Sequence, residues 1–283
     1  MHIQGEKKMF DLMSEMLSYP FLQRALIVGI LVSLCSALLG TSLVLKRYSM
    51  IGDGLSHMGF AALAVAYAFG MAPLTLSIPV CIIAAFLLLR MNENSRIKGD
   101  AATALMCSGA LAVGVMTISL TTGMNTDVCN YMFGSILAMS QSDVIISVIL
   151  SIVVIIMFVA FYHRIFAVTF DENFSKATGV NSNLYNMIIA MLTAVTVVLG
   201  MRMMGTLLIS SLIVFPSLSA MRIFKRFSWV VIASVVIAVI CFCLGVIISY
   251  IYSTPTGASI VIINIAVFMI FAAIERFKTK ARI

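Results

Sequence analysis

The sequence predicts an all-α, polytopic helical membrane protein with about nine transmembrane helices. Three observations carry that expectation. Of the 283 residues, 62% are hydrophobic and only 10% are charged, whereas a soluble domain is nearer half apolar and a quarter charged. The mean hydropathy is +1.12. The apolar residues fall in runs close to the ~20 residues needed to cross a bilayer. Together these exclude a soluble enzyme, a disordered chain and a disulfide-stapled secreted module. The net charge of +7 reads as Lys and Arg gathered in cytoplasmic loops, and no nucleic-acid partner is expected.

The elements follow in order. Residues 1–24 carry mixed charge (Glu6, Lys7, Lys8, Asp11, Glu15). They lack the basic start, short apolar stretch and cleavage site of a signal peptide, so Met9 to Gln23 reads as an amphipathic segment at the membrane interface. Ala25 to Leu45 is the first span. Gly54 to Leu89 contains no Asp, Glu, Lys or Arg and is too long for one helix; Gly70, Pro73 and Pro79 offer breaks, and the split is placed near Gly70–Ala72. Ala101 to Leu120 and Val144 to Tyr162 are the fourth and fifth spans. Leu184 to Leu199 and Gly205 to Ala220 are shorter, the latter broken by Pro216. Phe227 to Ile274 fits two spans around the turn Ser253–Gly257. Tyr131 to Met139 is left open between a short helix that dips into the membrane and a segment that stays outside it, which leaves the span count at eight to ten. Three regions result: 1–24 amphipathic, 25–274 transmembrane, and 275–283 a basic cytoplasmic tail.

Alternating the spans puts fourteen of the eighteen Lys and Arg on one face. Arg202 and the N-terminal Lys7, Lys8 and Arg24 are left on the other. By the positive-inside rule the rich face is cytoplasmic, so the N-terminus is expected outside and the C-terminus inside.

Ten of the eleven acids fall in the N-terminal segment, the loops or the tail. The exception is Asp53, and His57 is the histidine within a span. They stand four apart in G-D-G-L-S-H (Gly52–His57), a spacing that puts both on one helix face. An ionisable pair in hydrocarbon costs several kcal/mol, about 3 or more per charged group, and marks function by default. Asp and His together suit a divalent transition cation such as Zn²⁺ or Mn²⁺. A structural hydrogen bond and a proton relay are the two other readings. Starting the helix at Arg47 and rising ~1.5 Å per residue puts Asp53 roughly 9 Å and His57 roughly 15 Å in. Gly52, Gly54 and Gly59 thin the helix around the pair so that another backbone or an ion can approach. Two ligands do not complete a tetrahedral site. Ser210, Asn264, waters or a second copy of the chain are expected to supply the others.

Elsewhere the residues read more blandly. Five of the six cysteines lie in apolar runs, as small buried hydrophobes do. Cys241 and Cys243 are two apart and do not share a helix face. Met201–Met204 is read as gap-filling rather than as thioether ligands, and Asp127, Cys129 and Asn130 as a solvated outer loop. Thr169–Asn181 mixes acids, a lysine, apolar residues and Gly179. It fits a short amphipathic helix with a glycine cap, which could serve as a docking surface for a cytoplasmic subunit or be an ordinary loop. No G-x-x-x-x-G-K-[ST] phosphate loop occurs, so any ATPase is a separate chain.

Five stretches then resemble a known family. They are Ser49–His57, Tyr131–Ala138, Phe170–Val180, Met204–Ala220 and Thr254–Val261. With them, over nearly its whole length, the chain resembles the membrane permease subunit of the zinc/manganese/iron ABC importers. The resemblance implies a non-catalytic permease, paired with a second copy of itself, in the cytoplasmic membrane. It implies two cytoplasmic ATP-binding subunits docking near Phe170, Asp171, Glu172 and Gly179, and an extracytoplasmic metal-binding protein. Asp53 and His57 fall on the family's D-x-x-x-H, which looks like its ion-coordinating pair. No permanently bound cofactor is expected. The cargo is expected to be zinc first and manganese second, with ATP on the partner subunit. The sequence departs from the family after the histidine: the frequent A-V-L-P-G is replaced by M-G-F-A-A (Met58–Ala62). The rival reading is a proton-coupled secondary metal carrier in which Asp53 and His57 titrate.

Overall fold

The structure, a computed structural model, describes residues 19–94, 99–121 and 140–280. Among these are eleven helices and no strand: α1 Pro20–Leu45, α2 Ile51–Ala68, α3 Pro73–Asn94, α4 Gly99–Leu120, α5 Gln141–Ala160, α6 Tyr162–Phe170, α7 Glu172–Ala177, α8 Ser182–Met204, α9 Thr206–Ile223, α10 Phe227–Tyr252 and α11 Thr256–Lys280. The all-α expectation holds.

The boundaries have local causes. α1 begins with Pro20 in its first turn, where a missing N–H costs nothing. The break expected near Gly70–Ala72 is a glycine stop. Gly70 takes φ +65, its N–H donates to Tyr67 O at 3.0 Å, and the Met71 N–H returns to Ala66 O at 2.8 Å. That is the paired bonding of a Schellman motif. α5 opens with a capping box: the Ser140 side chain accepts from the Asp143 N–H, and the Asp143 side chain accepts from the Ser140 N–H. α10 ends at Ser253 in the left-handed region (φ 51), inside the expected S-T-P-T-G turn.

α1 and α8 form the centre. α1 packs against α5, α8, α9 and α10, and α8 packs against α1, α2, α3 and α9. Their backbones come close because small residues face their neighbours. A Cβ added at Gly40 would lie 2.1 Å from the Ile213 carbonyl oxygen, so α9 rests directly on α1. At the next residue, the Thr41 hydroxyl lies 3.4 Å from both the Ser217 and the Ser234 hydroxyls and ties α1 to α9 and α10. α4, α5 and α11 are peripheral. On α5, Ile145, Ile149, Ile152, Ile156 and Val159 are exposed, the surface a lipid-facing helix presents.

Seven helices among the described residues are long and apolar enough to cross a membrane, and Leu208–Ile223 is a shorter apolar helix. The expected nine included that helix and the one carrying Asp53 and His57. Five local expectations change. Pro216 lies inside a continuous α9, as Pro can in a buried membrane helix where neighbours serve the freed carbonyl. The span expected at Leu184–Leu199 is the 23-residue α8. Asp143, read as a loop residue, lies in the first turn of α5 and is buried. The first helix starts at Pro20, inside the expected 1–24 segment. α11 runs on to Lys280, past the expected start of the basic tail. Tyr131–Met139, Asp127, Cys129, Asn130 and the segment before Tyr19 lie outside the described residues.

Candidate metal site

Asp53 and His57 both project from α2, one turn apart. His57 Nε2 lies 3.9 Å from Asp53 Oδ1. That is too long for a hydrogen bond, so the internal Asp–His bond of the structural reading is not formed. α2 begins at Ile51 rather than Arg47. At ~1.5 Å per residue, Asp53 is about 3 Å and His57 about 9 Å along the helix axis from that start. Asp53 therefore sits in the first turn, where the helix dipole favours a carboxylate.

Three other helices close on the pair, and the glycines of α2 admit them. A Cβ at Gly52 would lie 3.0 Å from Ile213 Cδ1 of α9; one at Gly54, 2.9 Å from Thr103 Cγ2 of α4; and one at Gly59, 2.7 Å from Met201 Cε of α8. The expected thinning of α2 is thus used on three sides. α4 brings Cys107, whose Sγ lies 3.8 Å from Asp53 Oδ2. α9 brings Ser210, whose hydroxyl approaches Asp53 Oδ1 at 3.4 Å.

Asp53, His57 and Cys107 each offer a ligand atom, and these atoms lie within 4.8 Å of one another. With metal–N and metal–O bonds of about 2.1 Å, two tetrahedral ligand atoms stand about 3.4 Å apart; with a metal–S bond of about 2.3 Å, S and O stand about 3.6 Å apart. The observed 3.9 Å and 3.8 Å exceed these by a few tenths of an ångström, which a side-chain adjustment supplies. The donor set of one carboxylate, one imidazole and one thiol suits a divalent transition metal, and the thiol favours the softer end of that series. His57 Nδ1 is buried and has no hydrogen-bond partner among the described residues. Packing alone orients the ring, without the carboxylate or carbonyl that usually holds a ligating histidine.

Cys107 was missed from sequence because a cysteine in an apolar run looks like any small core residue. Ser210 arrives where it was wanted, but Asn264 does not. Its amide donates to Ile260 O on its own helix at 2.9 Å. Met201, read as gap filler, packs against Gly59 as such a residue should.

The site is not sealed. The Asp53 side chain is about a third exposed, at 32%. Beside it an apolar cleft runs between α2, α3 and α4, its walls including Met58, Val65, Val80, Leu105, Gly109 and Val113.

At the other feature singled out from sequence, Asp171 caps α7 by accepting from the Phe174 N–H at 2.8 Å. Gly179, at φ +84, ends the turn; its N–H donates to Lys176 O at 3.1 Å, and the Val180 N–H returns to Ser175 O at 2.9 Å. The expected short helix with a glycine cap is present. Phe174 on it and Phe170 at the end of α6 are exposed, at 65% and 58%, while Glu172 turns back toward α1 and α8.

Comparison with known proteins gives a consistent picture. The family model described as "ABC 3 transport family" matches residues 18–275. The "Probable iron transport system membrane protein" of Haemophilus influenzae is 30% identical over 96% of this chain and all of its own length. The manganese transport system membrane protein MntC of Halalkalibacterium halodurans is 26% identical over 90% of this chain and 87% of its own. The high-affinity zinc uptake system membrane protein ZnuB of H. influenzae is 28% identical over 87% of this chain and 94% of its own. Among solved structures, PsaBC from Streptococcus pneumoniae in complex with Fab superposes with a TM-score of 0.83 at 26% identity, over 92% of this chain and 94% of that one.

Proposed function

Because the chain belongs to the ABC 3 transport family, we propose that it is the multi-pass permease subunit of an ATP-driven importer for a divalent transition metal. The observation that carries this is the convergence of Asp53, His57 and Cys107. A carboxylate, an imidazole and a thiol at ligand spacing, in a chain this apolar, form a stepping stone for a dication rather than a packing accident.

The cargo is zinc first and manganese second. Relatives named for manganese, zinc and iron are similarly distant from this chain, so the preference rests on the donors. Asp53 supplies charge, His57 a neutral nitrogen and Cys107 a sulfur that can ionise on binding, a set that suits Zn²⁺ better than the harder Mn²⁺. The ion exchanges waters for these groups, and Ser210 steadies the carboxylate.

Nine spans, counting α2 and α9, put the basic loops on one side, with the N-terminus out and the C-terminus in. Residues 25–274 form the permease domain between an N-terminal interfacial segment and a basic tail. A second copy covers the cleft beside Asp53. The support is physical: a carboxylate a third exposed cannot face lipid, and three ligands leave a tetrahedral site one short. ATP is hydrolysed on separate cytoplasmic subunits that dock near Phe170, Asp171, Glu172 and Gly179, where Phe174 is also exposed. An extracytoplasmic protein delivers the ion. This chain performs no covalent chemistry.

The test is uptake of radioactive zinc and manganese by cells that lack their own importer and carry this chain with its ATPase. Asp53→Ala and His57→Ala are each expected to abolish uptake while the protein still reaches the membrane. Uptake by the permease alone, driven by a proton gradient without nucleotide, would replace the importer with a secondary carrier.

A further inference from the structure

Glu172 opens α7, yet its carboxylate serves the membrane helices. Oε2 lies 3.7 Å from Lys46 Nζ and accepts from Asn186 Nδ2 at 3.3 Å. Oε1 lies 2.8 Å from Lys176 Nζ on its own helix. Lys46 Nζ also donates to Asn186 Oδ1, and the Lys46 side chain is only 7% exposed. A buried ammonium depends on its partners, and here they come from α7 and α8. Burial pushes the Glu172 carboxyl up. The hydrogen bonds from Lys176 and Asn186, with the charges of Lys46 and Lys176, outweigh that and hold it below the usual carboxylate range.

Lys46 has a second neighbour in sequence that matters. It caps α1, and Arg47 follows at φ 62, a left-handed conformation uncommon for a residue with a Cβ. The Tyr48 N–H ties back to Leu43 O at 2.8 Å. α2 starts three residues later, with Asp53 in its first turn. This turn is short and internally bonded, so a displacement of Lys46 is carried into the start of α2. A small cavity lined by Lys46, Tyr48, Ile51, Leu89, Asn186 and Ala190 adjoins it.

We propose that the Lys46–Glu172–Asn186 cluster is the coupling link through which movement of α7 reaches Asp53 and changes access to the metal site. It rests on reading α7 as the surface that meets the ATPase. A switch of this kind needs two discrete arrangements. In one, Glu172 bridges Lys46 and Lys176. In the other, α7 moves away, the carboxylate stays with Lys176 on the same helix, and Lys46 keeps Asn186. Lys46 and Asn186 are positioning residues: neither touches the metal.

The test measures metal ions accumulated per ATP hydrolysed in proteoliposomes holding the permease with its ATPase subunit. Lys46→Met and Glu172→Gln are each expected to lower this ratio about fivefold or more, the size of an ordinary coupling between sites, while the ATPase still copurifies. Lys46→Arg, which keeps the charge, retains the ratio. The exchange Lys46→Glu with Glu172→Lys recovers much of it. An unchanged ratio in both single variants overturns the proposal. So does an exchange variant no better than the singles, or an ATPase that no longer copurifies, which would make the cluster a docking or folding element. Failure of the unaltered assembly to import metal with ATP would instead overturn the importer reading.

Discussion

Asp143 and Arg202 make a buried ion pair whose two halves are not equivalent, and this asymmetry predicts how each will fail. Arg202 Nη2 lies 2.8 Å from Asp143 Oδ2, and both residues are buried. Removing one partner from such a pair costs about 3–5 kcal/mol, because the other charge is left without compensation. The Asp143 carboxylate would still accept from Ser140 N at 3.1 Å and Ser140 Oγ at 2.7 Å. The guanidinium has no such reserve, since its Nη1 is already without a hydrogen-bond partner among the described residues. Arg202→Met is therefore expected near the low end, about 3 kcal/mol, and Asp143→Leu near the high end, about 5 kcal/mol. The double variant removes both charges and should return to within about 1 kcal/mol of the unaltered protein, the residue being the lost half of the capping box. Unfolding in mixed micelles, followed by tryptophan fluorescence of Trp229, supplies the measurement. If Arg202→Met proves the more damaging single change, or the double variant loses as much as the two singles added, the pair is not held as described.

Three further outcomes are expected. Cys107→Ser replaces sulfur with a harder oxygen on a shorter bond, and should lower zinc uptake about tenfold or more while manganese uptake falls less; equal losses for the two ions would remove sulfur from the ligand set. Gly40→Ala would set a Cβ 2.1 Å from Ile213 O, backbone that cannot turn aside, so about 1–3 kcal/mol of stability should be lost, seen as a lower melting temperature in detergent. Glu172 is held below its ordinary 4.5, so its contribution to stability is fully present above that value and is lost as pH falls through the depressed one. Melting curves should show the unaltered protein losing its advantage over Glu172→Gln only in acid, and an advantage that grows as pH falls would contradict the sign.

The parts of this molecule legible in the sequence are those where one local feature decides. Gly70 and Gly179 stop helices because the left-handed turn is disfavoured for residues with a Cβ, and both stops appear where glycine predicted them. Asp53 and His57 stand out because an i, i+4 pair of ionisable groups in an apolar run has little other reason to exist. What was not legible depends on which helices meet. Cys107 lies on a different helix from the pair, and only the packing of α4 against Gly54 brings it there. Asp143 precedes its apolar run by a single residue and so read as loop, although Ser140 already marked a helix start one turn earlier. Its tie to Arg202 on α8 has no local sign.

The same contrast explains why α2 can hold a charged pair at all. A carboxylate and an imidazole weaken a helix's hydrophobic anchoring, and α2 is not among the seven described helices long and apolar enough to span by composition. It is held instead by α3, α4, α8 and α9 on its flanks, with Gly52, Gly54 and Gly59 bringing three of those neighbours into contact. Its position is thus set by protein contacts rather than by lipid. The helix that carries Asp53 and His57 is consequently one that a displacement of its neighbours, or of Lys46 at its entrance, can move directly.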